Sequence, residues 1–580
     1  MAENGHLRID TSLGDGPQRP QRPPPVAAAF CVIFDARKGY TLAWREAIEG
    51  LDIDGIVEYK SLPSGLHTVK EDLVYFVHEN YAGISAFLNK ESEQDARGAR
   101  MLATGVLVPI QDSRMGQAWL HAEGLKELVG KQIGNPEDIS LLEEYWDEFK
   151  MKDESKDAAV STDDLFDARA VKQPNGYQKT RAMSDAMAAP SQGLSLHHPA
   201  KALPVLFKAF GPLVFPLYRA ALLRKRILLV GEAPVDINCN FVYAISLLSS
   251  IQRVLLPLLP VDDVPDMRLR PLFNVGIQDI PLLQRSKDSE SGIQDGWVAC
   301  TTDDILATKP ELFDILVILP PPHSKNATTK VYPKIIPSSP DLSRKTRKTA
   351  TRATQRDARR FISLRAYLRQ FAAETSQPPE EAAIDAETQS VSSAAESALS
   401  RASIIELQSW SHIAYTSLLW WASAGEKRSG PDEDEDEEAD HDAHLLGDDD
   451  DSSSAELTIV SYFHRLTNTI FGNISNAIAK ADGDELWERA GIDAEDDDAE
   501  SEEDEAAAVT DGETNEDQAL LSNKANDSVV EITHEDLMSM GLDIWSSSDR
   551  IFVEDLVRTW WGREAAAKGS RIECCGIRIL

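Results

Sequence analysis

"ALLRKRILLVGEAP", residues 221–234, runs three consecutive cations into four aliphatic residues and stops at a glycine. It could be a membrane anchor with a positive flank, a strand and loop that grip a nucleotide, or a helix end feeding a buried strand. The anchor fails on length, because nowhere do 18 apolar residues run uninterrupted. Residues 227–260 come nearest, and Glu232, Asp236 and Arg253 break them. The nucleotide loop fails on chemistry. "VGEAPVDIN" has one glycine and no Lys-Ser/Thr pair, so no ring of backbone N–H groups is offered to a phosphate.

The helix-to-strand junction remains. Residues 204–226 read as one helix, with Arg224, Lys225 and Arg226 in its last turn, where positive charge suits the helix dipole. "ILLV" then reads as a strand buried on both faces, and "GEAP" turns the chain. Asp236 is placed to cap a following helix whose apolar positions are Ile237, Phe241, Ile245, Leu248 and Ile251. Strands are expected at 272–276, 297–301 and 313–319, with a short helix starting at Thr302, Asp303 and Asp304. Alternating strands and helices over 204–322 predict a mixed or parallel sheet covered on both faces.

Upstream, residues 26–150 form another α/β module. "AAFCVIFD", "GIVEYKSLPSG", "DLVYFVHE", "AGISAFLN" and 104–110 read as strands, followed by helices over 115–129 and 141–149. Downstream, 404–565 is helical, with helices expected at 404–424, 455–480, 535–540 and 549–561, the last capped by Ser548 and stopped at Gly562. The expected fold class is therefore α/β in three modules. Residues 1–25 read as disordered, 151–203 as a linker, and 323–403 as a basic, low-complexity linker. Acidic insertions at 425–454 and 481–530 are expected to be disordered.

The net charge of −37 comes mostly from those insertions: residues 431–451 hold 13 acids and no base, and 493–517 hold 14 and none. Without them the balance is about −10, ordinary for a body of this size. No general nucleic-acid binding is expected, since a phosphate backbone wants a basic face. Five cysteines without CxxC spacing fit a reducing cytosol and support neither a disulfide framework nor a zinc site. The apolar run 26–34 behind Arg19 and Arg22 leads into "DARKG" rather than a small-residue cleavage site, so no signal peptide is expected. No GxSxG elbow occurs, and neither His197-His198 nor the pair His441 and His444 has a plausible metal partner set. No cofactor, metal or small-molecule active site is expected.

One charged feature has a direction. Residues 344–369 carry ten bases against one acid, with Arg352, Arg356, Arg359 and Arg360 near one helical face and Phe361, Leu364 and Leu368 on another. Such a helix can be solvated, touch anionic lipid, or dock onto the chain's own acidic loops.

Several blocks in order, "FCVIFDARKG", "EYKSLPSGLH" with "DLVYF", "RGARM" (97–101), "ALLRKRIL" (221–228), "VACTT" (298–302) and "MGLD" (540–543), together resemble the LCHN family of DENN-domain proteins. The resemblance spans roughly 26–150, 200–320 and 404–565, and the acidic insertions and basic linker depart from it. It implies a longin-like upstream module, a central α/β module and a helical downstream one. It further implies a guanine-nucleotide exchange factor for a Rab-type small GTPase, cytoplasmic and peripheral on endomembranes. Alternatives are a non-catalytic trafficking scaffold that binds the GTPase, or a folliculin-like activator needing an arginine finger, for which Arg37 is the candidate. Contact candidates are Ser61, Ser64 and Gly65 in the "KSLPSG" turn, and Arg224, Lys225 and Arg226. For each, a purely structural role stands beside the partner role.

Overall fold

The computed structural model describes residues 22–35, 37–62, 65–91, 99–110, 117–151, 194–260, 265–285, 296–321, 330–338, 350–375, 404–410, 412–415, 417, 441–446, 454–489, 529–568, 573–574 and 577–578. Residues 1–21, most of the 151–203 linker and most of both acidic insertions lie outside them.

Both α/β modules contribute to one ten-stranded sheet. Its strands are β1 (Ala28–Asp35), β2 (Gly39–Ala47), β3 (Glu71–His78), β4 (Tyr81–Glu91), β5 (Ala99–Pro109), β6 (Ile227–Val230), β7 (Arg270–Asn274), β8 (Trp297–Thr301), β9 (Ile315–Ile318) and β10 (Lys334–Pro337). Their spatial order is β10-β9-β6-β8-β7-β3-β4-β5-β1-β2. β9, β6, β8 and β7 run parallel, as βαβ crossovers require. β3, β4, β5, β1 and β2 pair antiparallel, as tight hairpins allow. Between the two halves the named ladder narrows to one antiparallel pair, Phe76 with Phe273. Phe273 takes the left-handed conformation there, φ 57°, and the β7–β8 register shifts beside it.

The upstream module departs from expectation at one strand. "VEYK" forms a short helix, α1 (Val57–Lys60), and β2 supplies the strand in its place. The reason lies in "DARKG". The Asp35 carboxylate accepts the N–H groups of Arg37 and Lys38, and Gly39 at φ 82° closes the hairpin, so β1 acquires its partner at once. Helices α2 (Ala122–Gln132) and α3 (Ser140–Phe149) follow.

The expected single helix over 204–226 is also broken. α4 (Leu203–Phe210) ends at Gly211, φ 58°, and α5 (Val214–Leu222) restarts after a 3₁₀ turn containing Pro212. The apolar helical run Pro199–Leu222 has the length and hydropathy of a membrane span, but 67% of its apolar 18-residue window is buried within this fold. Its first turn uses His198, whose Nδ1 accepts the Ala200 N–H at 3.1 Å, so residues 194–203 belong to the central module rather than to a linker. α6 (Val235–Leu248), α7 (Ile280–Arg285) and α8 (Asp304–Ala307) complete the crossovers.

The basic linker is likewise partly built into the fold. It contains β10 and α9 (Gln355–Thr375), whose Phe361 ring lies 4.6 Å from Phe207 of α4. α10 runs Ala455–Arg489, past the expected start of the second insertion. Residues 441–446, inside the first insertion, are helical and bury Leu445. Residues 404–406 are extended rather than helical, with Ile405 bridged to Ala353. β11 (Val530–Ile532) pairs parallel with β12 (Ala565–Ala567). α11 (His534–Ser539) starts at a Thr533–Asp536 capping box, and α12 (Ser547–Trp561) starts at Ser546 and ends at Gly562, φ 65°. A single apolar core runs from Val26 to Trp560, with a smaller cluster around Trp297 on the other side of the parallel strands.

Candidate partner interface at the module junction

"KSLPSG" begins inside the protein. Lys60 Nζ lies 2.8 Å from Asp279 Oδ1 and donates to the Val77 carbonyl at 2.5 Å, while the Lys60 carbonyl accepts from Asn274 Nδ2 at 3.4 Å. Lys60 is only 6% exposed, and both groups accept from its ammonium. Ser61 is fully buried; its hydroxyl donates to the Val57 carbonyl, and its own carbonyl accepts from Ser85. No partner can reach Ser61 in this conformation, which corrects the expectation of a surface contact. Ser64 lies outside the described residues. Gly65 is half-buried at φ 89°, with the Ala233 Cβ at 4.0 Å from where its own Cβ would stand. The "KSLPSG" and "GEAP" turns thus meet at the junction of the two modules.

The same junction supplies the cap of α6. Asp72, at the head of β3, accepts the N–H of Val235 at 2.6 Å and of Asp236 at 3.1 Å. Burial pushes the Asp72 carboxyl up to about 6, against the pull of those bonds. Asp236, expected to cap, lies one residue inside the helix and accepts from Asn240.

Several side chains exposed near these buried ties are apolar. Tyr59 of α1 is 53% exposed and Ile277 45%, each adjacent or nearly so in sequence to the Lys60–Asp279 pair, and Leu282 follows on α7. Ile237 and Ile305 are exposed in the first turns after β6 and β8. These positions follow the carboxyl ends of parallel strands, where open α/β sheets present their binding groups. Periodicity misses Tyr59, Ile277, Leu282 and Ile305 because exposed residues beside a module seam leave no repeating pattern, and it puts Ile237 on the apolar face of its helix, where the structure exposes it.

The cationic triplet is mostly interior. Arg224, in a left-handed conformation at φ 51°, is past the last helical turn. Its guanidinium lies 4.8 Å from the Trp560 ring and donates to the Ala221 and Asp266 carbonyls. Arg226 pairs with Asp314 at 2.8 Å. Only Lys225 keeps substantial exposure, with its Nζ 4.0 Å from Asp555. A partner can reach Lys225 of these three; the other two tie α5 to the strands and to α12.

The basic helix divides in the same way. Arg352 is exposed and Arg359 half-buried, whereas Arg356 and Arg360 are buried against Asp442. Arg356 grips it through two bonds of 2.6 and 2.8 Å, and Arg360 Nε stands 3.4 Å away. Burial opposes ionisation of Asp442, but His441, Arg356 and Arg360 outweigh it and hold the carboxyl down to about 2. Of the three readings of this helix, contact with the acidic stretch is the one its buried arginines adopt. One turn away, Arg219 of α5 makes two bonds to Asp357 of α9, at 2.8 and 2.6 Å, and lies 3.4 Å from Asp549 of α12. Burial, together with the like charge of Asp357, pushes the Asp549 carboxyl up to about 7 despite Arg219. Among the described residues no His, Cys, Asp and Glu group could hold a metal ion.

Comparison with known proteins settles the family. The model of DENN domain-containing protein 11 matches residues 29–329, which is the whole of the shared sheet except for the first residue of β1 and for β10. The chain belongs to the DENN domain-containing protein 11 family. A domain of unknown function matches 405–580, the helical part beyond the sheet. The chain is similar to the DENN domain-containing protein 11 of Danio rerio, at 30% identity over 299 residues, 50% of this chain and 53% of that one. It is also similar to the Saccharomyces cerevisiae protein named Uncharacterized protein ANR2, at 27% over 319 residues, 51% and 58% of the two chains. The matched part is thus little more than half the length of these curated relatives. DENN domains are generally associated with binding small GTPases and with exchange of their nucleotide.

Proposed function

We propose that this DENN protein binds a Rab-type small GTPase across the seam between its two α/β modules and accelerates release of GDP. The observation that carries the reading is the exposed apolar set Tyr59, Ile277 and Leu282, on elements held rigid by the buried Lys60–Asp279 pair. A surface anchored this way loses little freedom on binding, so more of the contact energy is left to act on the partner. Exchange requires no acid, base or cofactor from this chain. It needs tighter binding to the open, nucleotide-free GTPase than to the closed one, and about 5.5 kcal/mol of difference moves such an equilibrium from 1:99 to 99:1. A few buried aromatic and aliphatic anchors supply energy of that size. The proposed setting is the cytoplasmic face of a membrane, where such GTPases work.

The test is release of a fluorescent GDP analogue from a panel of purified Rab GTPases at rising concentrations of this protein. Selective acceleration on one or two of them supports exchange. Binding without acceleration replaces it with a scaffold, and faster GTP hydrolysis replaces it with an activator.

A further inference from the structure

The helical region meets the sheet-bearing body at a buried site where two carboxylates share one guanidinium. Arg219 of α5 commits both terminal nitrogens to Asp357 of α9, at 2.8 and 2.6 Å. Asp549, in the first turn of α12, is only 1% exposed. Its Oδ2 accepts the Asp543 N–H at 2.8 Å. Its Oδ1 stands 3.4 Å from Arg219 Nη1, and among the described residues no group donates a hydrogen bond to it. An ionised carboxylate is costly in such a place, because its neighbouring cation is already paired and one of its oxygens is unserved. The start of a helix favours the anion, but by less than full burial opposes it. The geometry calls for a proton on Asp549, and burial, aided by the like charge of Asp357, raises its carboxyl to about 7.

The charged groups that bear on Asp549 are Arg219 on α5, Asp357 on α9 and Asp543 just ahead of α12. Glu406, on the extended segment 404–406, bears on Arg219 and also grips the start of α12 directly. It accepts the Ser546 and Ser548 hydroxyls at 2.8 and 2.9 Å. Four elements are thus joined around one guanidinium. The far end of α12 is held independently, since Trp560 donates to the Leu222 carbonyl at 3.0 Å and its ring lies 4.8 Å from the Arg224 guanidinium.

We propose that the proton on Asp549 is a latch that seats the first turns of α12, and with them residues 404–406, on α5 and α9. While the proton is held, Arg219 serves Asp357 alone and the neutral Asp549 carboxyl stays inside. When the proton leaves, two buried anions compete for one guanidinium. Asp549 then either draws Arg219 away from Asp357 or turns outward to water. Both moves disturb Ser546 and Ser548, which reach Glu406 from the same turn. The Trp560 end has no part in that competition and stays docked. Opening is therefore a local response to protons rather than a uniform loosening of the fold.

The experiment is hydrogen exchange of the full chain between pH 6 and 8.5, with protection corrected for the base-catalysed rate of free amides. Protection over residues 543–552 is expected to fall about tenfold for each pH unit above the Asp549 titration, roughly thirtyfold by pH 8.5, with a much smaller change over 556–561. D549N is expected to keep its pH 6 protection throughout. D357N leaves Arg219 to Asp549, which then ionises as a paired group at lower pH, so the fall above pH 7 is expected to vanish. A purely structural role of Asp357 would lower protection at every pH and leave the step in place. Circular dichroism checks folding, and D357N carries the test if D549N does not fold. Protection in the parent that does not change with pH overturns the proposal. So does an equal fall over 543–552 and 556–561, a fall that survives in D549N, or a step that D357N leaves unmoved.

Discussion

The Asp72 carboxylate caps the helix that begins at Val235, receiving its N–H at 2.6 Å from a strand 163 residues earlier in the chain. A helix start that is ordinarily satisfied by its own preceding residue is here completed by the other module. Removing the acceptor leaves buried donors unsatisfied on α6, so Asp72→Ala is expected to destabilise the protein by about 1–2 kcal/mol. Thermal unfolding of the variant checks this, and an unchanged midpoint would show that water replaces the cap.

Asp549 sets a pH dependence of definite sign. Its folded carboxyl is pushed up to about 7, while an aspartate's ordinary value is 3.8. Between those two pH values the folded state holds a proton that the unfolded chain has released, so stability falls as pH rises through that window. Asp72, near 6, adds a slope of the same sign. Asp549→Asn removes the larger contribution and is expected to raise stability at pH 8 by roughly 1–3 kcal/mol relative to the parent. Denaturant unfolding of both proteins at pH 5.5 and 8 measures it. Equal slopes in the two proteins would mean that Asp549 is ionised throughout.

Asp442 behaves oppositely. Its folded carboxyl lies below an aspartate's ordinary value of 3.8, so the stability it gives is present above about 4 and lost as pH falls toward 2. At neutral pH, Asp442→Ala strands Arg356 and Arg360 in the interior and is expected to cost about 3–5 kcal/mol. A melting midpoint equal to the parent's would show that the arginines escape to solvent instead.

For the proposed exchange activity, Tyr59→Ala with Ile277→Ser is expected to lower the catalysed rate of GDP release about 30-fold or more without changing the melting midpoint. Unchanged release would move the interface elsewhere on the protein.

Arg37 sits exposed in the β1–β2 turn, and its backbone N–H is held by Asp35. Arg37→Ala is expected to leave GDP release unaffected. A large fall in GTP hydrolysis with GTPase binding retained would instead identify an arginine finger.

Much of the fold is legible in local pattern. "ILLV" and "WVACT" are buried strands because parallel strands covered on both faces need continuous apolar runs, and Gly562 ends α12 because only a left-handed residue closes that helix cheaply. What local pattern could not give is partnership at a distance. "VEYK" alternates like a strand, yet Lys60 turns inward to an aspartate more than 200 residues away. The triplet at 224–226 looks like a surface cluster, and only the folded chain brings Trp560 and Asp314 to two of its members. Asp442 is one acid among 13 in its run, with nothing in sequence to distinguish it from its neighbours. The apolar residues at the seam, on which the proposed interface rests, escape for the same reason: exposure is a property of the assembled modules.

The single Phe76–Phe273 pair at the seam imposes an order on biosynthesis. The first module leaves the ribosome with β3 as an open edge, and β7 is made nearly 200 residues later. At about 5–20 residues per second, that edge waits roughly 10–40 s for its neighbour. During that interval Lys60 has the Val77 carbonyl but not Asp279, and Asp72 lacks the N–H groups of Val235 and Asp236 until they are made. The nascent chain therefore presents an unpaired strand, and beside it two charges without their later partners, to whatever chaperones receive it, and a stop after residue 150 would make that exposure permanent.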